Sequence, residues 1–515
     1  MDDHAPGIGW DTLGRRSTMI DSGMTTRPVP GADSDHRVGV GTPLAVVLFA
    51  LFAAYAAVFA LVAHGAESVW GAWAAGAYGV AAAAAAWCWR RYPGVPLLVA
   101  IVGAMAVPAA VLPVNWGATS EVRVVARAAA QWLAHGTPYL ASGQLASWRS
   151  YDPYLPGMSL FGLPHALGLP GPLGDPVSWL ALTTAGLLVA ACRIAVPDAA
   201  RRCEGCRRQA VLRTMLLLSV PVFALPMSLG VTDPPVIALL CLALALTARG
   251  AHGHAEGAFR TSSAAPSRRF EEHVVAQRGN RPVLAGLAIG AACALKATAW
   301  PALPVVLALL AVRDGRHAAA RFIWSSLGTF LALLAVTAPE LLAHPRALWL
   351  NLVEYPLGLS HSPTKAASPL PGHLIASTGS LGHLVAIVLL AGAALALGAS
   401  LVLRPPRDIR QASVRLAIGF VLMFLLAPDA RFGYFAYPLG ILLWLLLTGS
   451  WSRSGREGSS PLVVDGRRSA CEEREGSVAT VRAGDADRVL RGRAARAGAR
   501  EVRSWGKAAL PDLAR

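Results

Sequence analysis

Apolar runs of close to twenty residues recur along most of this 515-residue chain, and no other feature limits its fold so tightly. A helix of about 20 apolar residues crosses the hydrocarbon core of a bilayer. It also satisfies its own backbone hydrogen bonds, which hydrocarbon cannot do. The candidate spans are 43–63, 69–89, 95–114, 176–196, 210–228, 232–248, 283–299, 301–312, 321–343, 381–403, 413–428 and 434–449. Hydrophobic residues make up 54% of the chain, and the 15% that are charged are pushed into the gaps between runs. That distribution excludes an ordinary soluble domain. The expectation is an all-α integral membrane protein, a polytopic bundle of about twelve transmembrane helices. Segment 157–170, cut by Pro164 and Pro170, is too short to span and is expected to be interfacial or re-entrant. The run that starts at Pro43 is longer than the ~7–15 residues of a signal h-region, so it should stay as a helix.

The formal charge of +16 says more about orientation than about partners. With the N-terminus inside, the cytosolic gaps and tails carry 37 of the 46 Lys and Arg residues. The outer gaps carry six: Arg123, Arg127, Arg149, Arg346, Lys365 and Arg431. This positive-inside pattern predicts a multi-pass protein of the cell membrane with both termini cytosolic. Basic residues spread over short loops and tails suit anionic lipid and offer no single surface for nucleic acid. The organisation expected is a disordered cytosolic N-terminus (1–42), a helical bundle (43–449) and a mostly disordered basic cytosolic tail (450–515). A flexible cytosolic linker is expected over 249–282. Within the tail, the Arg-rich stretch 488–503 is either solvated or laid on anionic lipid. The seven cysteines form no disulfide framework. Cys203 and Cys206 make one CxxC without a second ligand pair, which reads as two free thiols rather than a zinc site.

Two outer loops are long, 115–156 and 344–380, and loops on a rigid scaffold carry function. In the first, Thr119 to Leu133 is predicted to be helical, with Thr119 or Ser120 as its cap. Glu121 then sits in the first turn, where the helix dipole favours a carboxylate. Arg123 and Arg127, four apart, share one face. A carboxylate and two guanidiniums on one short helix suit a general base with a phosphate clamp. An amphipathic interfacial helix with solvated charges fits the same pattern. Asp152 follows in Tyr-Asp-Pro-Tyr, and Asp233 lies in the tight Gly230-Val-Thr-Asp-Pro-Pro turn. Lys296, inside an apolar span, is a functional candidate because burying an amine in a membrane is costly. Snorkelling to the outer interface is the alternative for it. Arg431 opens the last outer turn, followed by Tyr434 and Tyr437, which also suit an interfacial aromatic belt. All of these residues converge on the outer membrane face.

Five segments carry a family resemblance: SEVRVVARAAAQWLAHGTPYL, YDPYLPGMSLFGLP, GVTDPP, AGLAIGAACALKATAWPALP and PDARFGYFAYP. Over roughly 95–450 the chain resembles the GT-C membrane glycosyltransferases. Within them it is most similar to glycosyltransferase family 87, the polyprenyl-phosphate-mannose-dependent mannosyltransferases of actinobacteria. The resemblance implies a GT-C bundle with a helical first large outer loop and an acidic residue organising acceptor or base chemistry. It also implies a lipid-linked sugar as donor. In keeping with that, the chain has no Rossmann unit and no Gly-rich phosphate loop. The family usually has Asp where this chain has Glu121.

The activity expected is a hexosyltransferase, with mannose chemistry implied by the resemblance alone. A polyprenyl-phosphate sugar would be the donor and an envelope lipid or glycan the acceptor, at the outer face of the plasma membrane. Glu121 or Asp152 would take the acceptor's proton. Arg123, Arg127, Lys296 or Arg431 would hold the phosphate, with Asp233 and Tyr434 beside them. Tyr139, Tyr151, Tyr154 and Trp132 would stack on sugar or line the lipid entrance. No metal or other cofactor is expected, because polyprenyl phosphate leaves as a stable anion. The partners expected are membrane lipid, donor and acceptor. A twelve-helix secondary transporter is the competing reading, and a non-catalytic GT-C relative is a third.

Overall fold

The computed structural model describes residues 41–116, 119–196, 204–248, 268–342, 345–360, 362 and 368–449. Residues 1–40 of the expected N-terminal tail, the C-terminal tail, residues 249–267 of the linker, Cys203 of the CxxC and Lys365 lie outside the described residues. The helices are α1 (Thr42–Val62), α2 (Ala66–Cys88), α3 (Gly94–Ile101), α4 (Val107–Trp116), α5 (Ser120–His135), α6 (Pro176–Ala195), α7 (Glu204–Ser219) and α8 (Pro221–Leu229). They continue as α9 (Asp233–Ala248), α10 (Arg268–Leu295), α11 (Ala302–Arg313), α12 (Arg316–Thr337), α13 (Pro371–Ala376), α14 (Ser380–Leu403), α15 (Ile409–Leu426) and α16 (Ala436–Leu447). No strand occurs among the described residues.

Each of the twelve apolar runs is mainly helical in its described residues, with Val220 and Lys296 breaking two of them. Among the described residues seven helices can cross a membrane by length and composition, or eight spans if α7 and α8, bent by 59° about Val220, count as one. The other four runs give apolar helices of 10–17 residues, shorter than a straight crossing requires. The chain is therefore an all-α polytopic membrane protein, with seven or eight candidate spans of full length among the described residues. Residues 268–282, read as linker, are helical and continue into α10. The segment read as interfacial is a 3-10 turn over Pro156–Gly162 followed by one helical turn, Leu163–Ala166.

The short helix α9 forms the centre of the bundle. Thirteen of its sixteen residues are buried, on every side, as expected of a helix that is apolar all round. It packs against α6, α10 and α16. Helices α10 and α12 approach closely because Gly286 and Gly290 face Phe322, Ser325 and Ser326, so that a Cβ at either glycine would strike α12. Small residues four apart let two helix backbones meet in this way. Between α3 and α4, one π-helical turn (Val102–Ala106) interrupts the ladder. Trp70 Nε1 donates to the Ala104 carbonyl at 2.9 Å, and the Ser228 hydroxyl lies 3.2 Å from it, so the turn's buried oxygens find partners away from water.

Candidate active site

The site is built where four chain breaks meet. The first is the start of α5. Thr119 caps it, its hydroxyl oxygen accepting from Val122 N at 3.4 Å. Val122, Val125, Ala128 and Ala129 are buried, and α5 packs on the 156–162 turn. Glu121, in the first turn, is turned inward with only 9% of its surface exposed.

The second break is the turn from α8 to α9. Gly230 ends α8 at φ 72°, where a side chain would be strained and would also meet Val122 and Val177. That close approach carries Thr232 onto Glu121. Thr232 N donates to Glu121 Oε2 at 2.9 Å and its hydroxyl donates to the same oxygen at 2.8 Å. Asp233 then opens α9, with its carboxylate in the first turn.

The third break ends α10 at Leu295. Lys296 is extended (φ −155°, ψ 135°), so it follows the helix rather than lying within the span. It is 5% exposed, which removes the snorkelling alternative. Its Nζ donates to Asp233 Oδ1 at 2.5 Å and to Thr232 Oγ1 at 3.3 Å. The rings of Tyr154 and Tyr434 lie 5.2 and 5.4 Å from that nitrogen, within cation–π range. The fourth break is the turn into α16. Arg431 Nη1 donates to Glu121 Oε1 at 3.1 Å, and Tyr437 OH donates to Asp233 Oδ1 at 2.8 Å. Thr298 Oγ1 stands 2.7 Å from that phenol oxygen.

The network therefore pairs two carboxylates with two cations. Burial alone would push the Glu121 carboxyl up. The Lys296 and Arg431 charges and the two Thr232 hydrogen bonds outweigh it and hold the group below the ordinary glutamate value. Lys296 has its ammonium committed to Asp233, Thr232 and two rings. Arg431 does not: its Nε is buried with no hydrogen-bond partner among the described residues, and 39% of its side chain is exposed.

Asp152 belongs to a neighbouring cluster. Its backbone N donates to Asn351 Oδ1 at 2.7 Å, and its Oδ1 accepts from Tyr154 N at 3.0 Å. Burial pushes its carboxyl up to about 7, against the pull of the Tyr154 N–H and the Arg127 charge. Arg127 grips the carbonyls of Arg149, Ser150 (3.2 Å) and Tyr151 (3.1 Å), so it braces this loop. Tyr139 OH donates to the Tyr154 carbonyl at 2.9 Å, also as a brace. Tyr151 stacks on Tyr355, with ring centroids 4.4 Å apart and planes 9° from parallel. Trp132 Nε1 is bonded to the Val336 carbonyl at 3.0 Å. A third cluster sets His373 Nδ1 3.7 Å from Asp429 Oδ1, with burial pushing the Asp429 carboxyl up to about 6.

Of the residues singled out from the sequence, Glu121, Tyr154, Asp233, Lys296, Arg431 and Tyr434 share one network. Asp152, Arg127 and Tyr139 adjoin it. Arg123 is exposed on α5 and no hydrogen bond of the network reaches it. Thr232, Thr298 and Asn351 were not singled out. Tyr437, which suits an interfacial belt by sequence, is fully buried on Asp233. The Asp–Pro after Thr232, in a tight turn, is the signal that points to Thr232.

The model of glycosyltransferase family 87 matches residues 153–428, more than half of the chain. The protein belongs to glycosyltransferase family 87. It is a membrane glycosyltransferase, and membership favours the transferase over the transporter. No curated protein matches the chain. No solved structure matches it either. Within the family-87 match lie Tyr154, Asp233 and Lys296, whereas Glu121, Arg123, Arg127, Tyr139 and Asp152 precede it and Arg431 and Tyr434 follow it. The family-87 segment thus supplies the Asp233–Lys296 pair, and flanking chain on both sides supplies the Glu121–Arg431 pair.

Proposed function

We propose that this family-87 enzyme transfers a hexose, of mannose type by family resemblance, from a polyprenyl-phosphate donor to a hydroxyl of an envelope lipid or glycan. The Lys/Arg asymmetry supports action at the outer face of the membrane. The observation that carries the reading is the Glu121–Arg431 pair. It combines a buried carboxylate kept ionised with a guanidinium that still has an edge to offer. Nε–H and one N–H of Nη2 point the same way in the planar guanidinium, and that fork matches two oxygens of a phosphate.

In this reading the acceptor oxygen attacks the anomeric carbon while its proton passes to Glu121. The bond from that carbon to the phosphate oxygen breaks, and its electron pair leaves on the phosphate held by Arg431. Attack opposite the leaving group inverts the anomeric centre. The phosphate anion is stable as it departs, so the scheme calls on no metal. Lys296, which is 5% exposed and gives two of its three N–H groups to Asp233 and Thr232, supplies positive potential rather than a direct phosphate contact.

The test uses membranes carrying the full chain, polyprenyl-phosphate [14C]mannose and a lipid extract of the host envelope as acceptor. Loss of a general base costs on the order of 10²–10⁴-fold in rate, so Glu121→Gln is expected to lose transfer. Turnover like that of the wild type in this variant removes Glu121 from the role.

A further inference from the structure

The two oxygens of Glu121 are not equivalent. A carboxylate offers about four lone-pair sites, two on each oxygen. Oε2 accepts two hydrogen bonds, both from Thr232, at 2.9 and 2.8 Å. Oε1 accepts one, from Arg431 Nη1 at 3.1 Å. Oε2 is therefore filled, and the one site left is on Oε1, the oxygen that Arg431 bonds.

We propose that Thr232 is a positioning residue which, by filling both sites of Oε2, makes Oε1 the atom that accepts the proton of the acceptor hydroxyl. This rests on the reading of Glu121 as the base. It deepens that reading by fixing where the acceptor must stand. A hydroxyl approaching Oε1 arrives beside Arg431, whose Nε edge is without a partner among the described residues. The oxygen that takes the proton and the guanidinium that takes the phosphate are then direct neighbours. A hydroxyl approaching Oε2 would meet the Thr232 backbone and side chain instead.

Thr232 is itself held in place. Gly230, left-handed and pressed on Val122 and Val177, sets the turn. Lys296 Nζ donates to the Thr232 hydroxyl oxygen at 3.3 Å, which leaves the hydroxyl hydrogen to point at Glu121. The phenol of Tyr154 also lies against the Thr232 side chain. The charged and titratable groups facing Glu121 are Lys296 from the end of α10, Arg431 and Tyr434 from the turn into α16 and Tyr154 from the 152–155 loop, with Asp233 of α9 acting on both cations. Of the groups that hydrogen-bond the carboxylate, Thr232 alone supplies two donors, and only its hydroxyl can be deleted by substitution.

The experiment is an infrared difference titration of the full chain in lipid nanodiscs. The protonated-carboxyl band of Glu121 is assigned by its absence in Glu121→Gln. Removing a hydrogen bond to the charged form raises the pKa. Thr232→Val keeps the backbone donor and loses the hydroxyl, so its midpoint is expected to rise by about one pH unit, a tenfold change in proton affinity. Thr232→Ser keeps the hydroxyl and should titrate as the wild type does. Thr232→Ala serves as a second deletion should the valine variant fold poorly. With polyprenyl-phosphate [14C]mannose as donor, the acid limb of the rate profile should move up in the valine or alanine variant and return in the serine variant. A valine or alanine midpoint equal to that of the wild type overturns the proposal. So does a serine variant that shifts as far as the valine one, which would mark the threonine methyl and not its hydroxyl as what matters. An active Glu121→Gln sinks the base reading, whereas the titration still reports on the Thr232 contact.

Discussion

Replacing Asp233 by asparagine tests how the site's cations are held. Asp233 and Lys296 have side chains only 5% and 7% exposed, and they meet at 2.5 Å. Removing one member of a buried pair typically costs about 3–5 kcal/mol, because the other charge stays buried without its partner. Here the amide introduced by Asp233→Asn keeps a carbonyl oxygen for the Tyr437 hydroxyl and for one Lys296 N–H, and Glu121 still faces the ammonium. Both place the cost of the substitution near the lower limit, about 3 kcal/mol. Taken over roughly 400 residues at about 2.1 cal/mol/K each, the unfolding entropy is near 0.8 kcal/mol/K, so the apparent Tm should fall by about 4 °C. Lys296→Met leaves the Asp233 carboxylate with Tyr437 alone and should cost more. The double variant should cost less than the sum of the two, by about 2 kcal/mol, since no charge is then stranded. Differential scanning fluorimetry at one scan rate, in one detergent and at one pH, gives all four corners of the cycle. Additive single effects, or an Asp233→Asn protein as stable as the wild type, would refute the claim that these groups neutralise each other inside the bundle.

Arg431→Lys keeps a charge next to Glu121 and loses the planar fork. A charge-assisted hydrogen bond is worth about 1.5–3 kcal/mol, so kcat/KM for the polyprenyl-phosphate donor should drop by at least about tenfold. An unchanged donor KM and kcat would exclude the Nε edge as the phosphate contact. Asp152→Asn separates the two carboxylates. The folded-state pKa of Asp152, about 7, is raised above its ordinary 3.8. The stability it contributes is therefore complete below pH ~4 and is lost as pH rises through about 7. The wild-type apparent Tm should fall across that window by more than that of the Asp152→Asn variant, whose amide cannot ionise. Transfer activity should persist in Asp152→Asn, and its abolition with the fold intact would move the base from Glu121 to Asp152.

Particular residues show where sequence reading reached and where it stopped. The start of α5 was legible to within one residue, Thr119 or Ser120 as the cap, because a hydroxyl cap with a carboxylate in the first turn is a local signal. The apolar runs also marked every long helix. Arg123 and Arg127 looked equivalent, four apart on one helix, yet one is exposed and the other is spent on three loop carbonyls. Spacing along a helix places side chains on a face without saying what faces them. Lys296 stood out for its cost, but its partner did not, since Asp233 lies 63 residues away. The Gly286 and Gly290 spacing marks a close helix contact without naming the helix that it meets. Thr232 is an ordinary residue in sequence, and only its two bonds to Glu121 give it a role.

The amino-acid order by itself determined a helical membrane bundle, most of its chain breaks and the candidates for charge near them, though not the breaks at Val220 and Lys296. These follow from hydrophobic length, caps and turn residues, all of which act over a few residues. How the breaks meet was decided by tertiary packing. Glu121 and Arg431 are 310 positions apart and bond at 3.1 Å, and no local rule links them. Which cation is buried on a carboxylate, and which oxygen of Glu121 stays open, depends on where α8, α10 and α16 end relative to α5. That is set by close packing of small residues in the bundle, because a buried charge can be tolerated only where its counter-charge and hydrogen bonds arrive together.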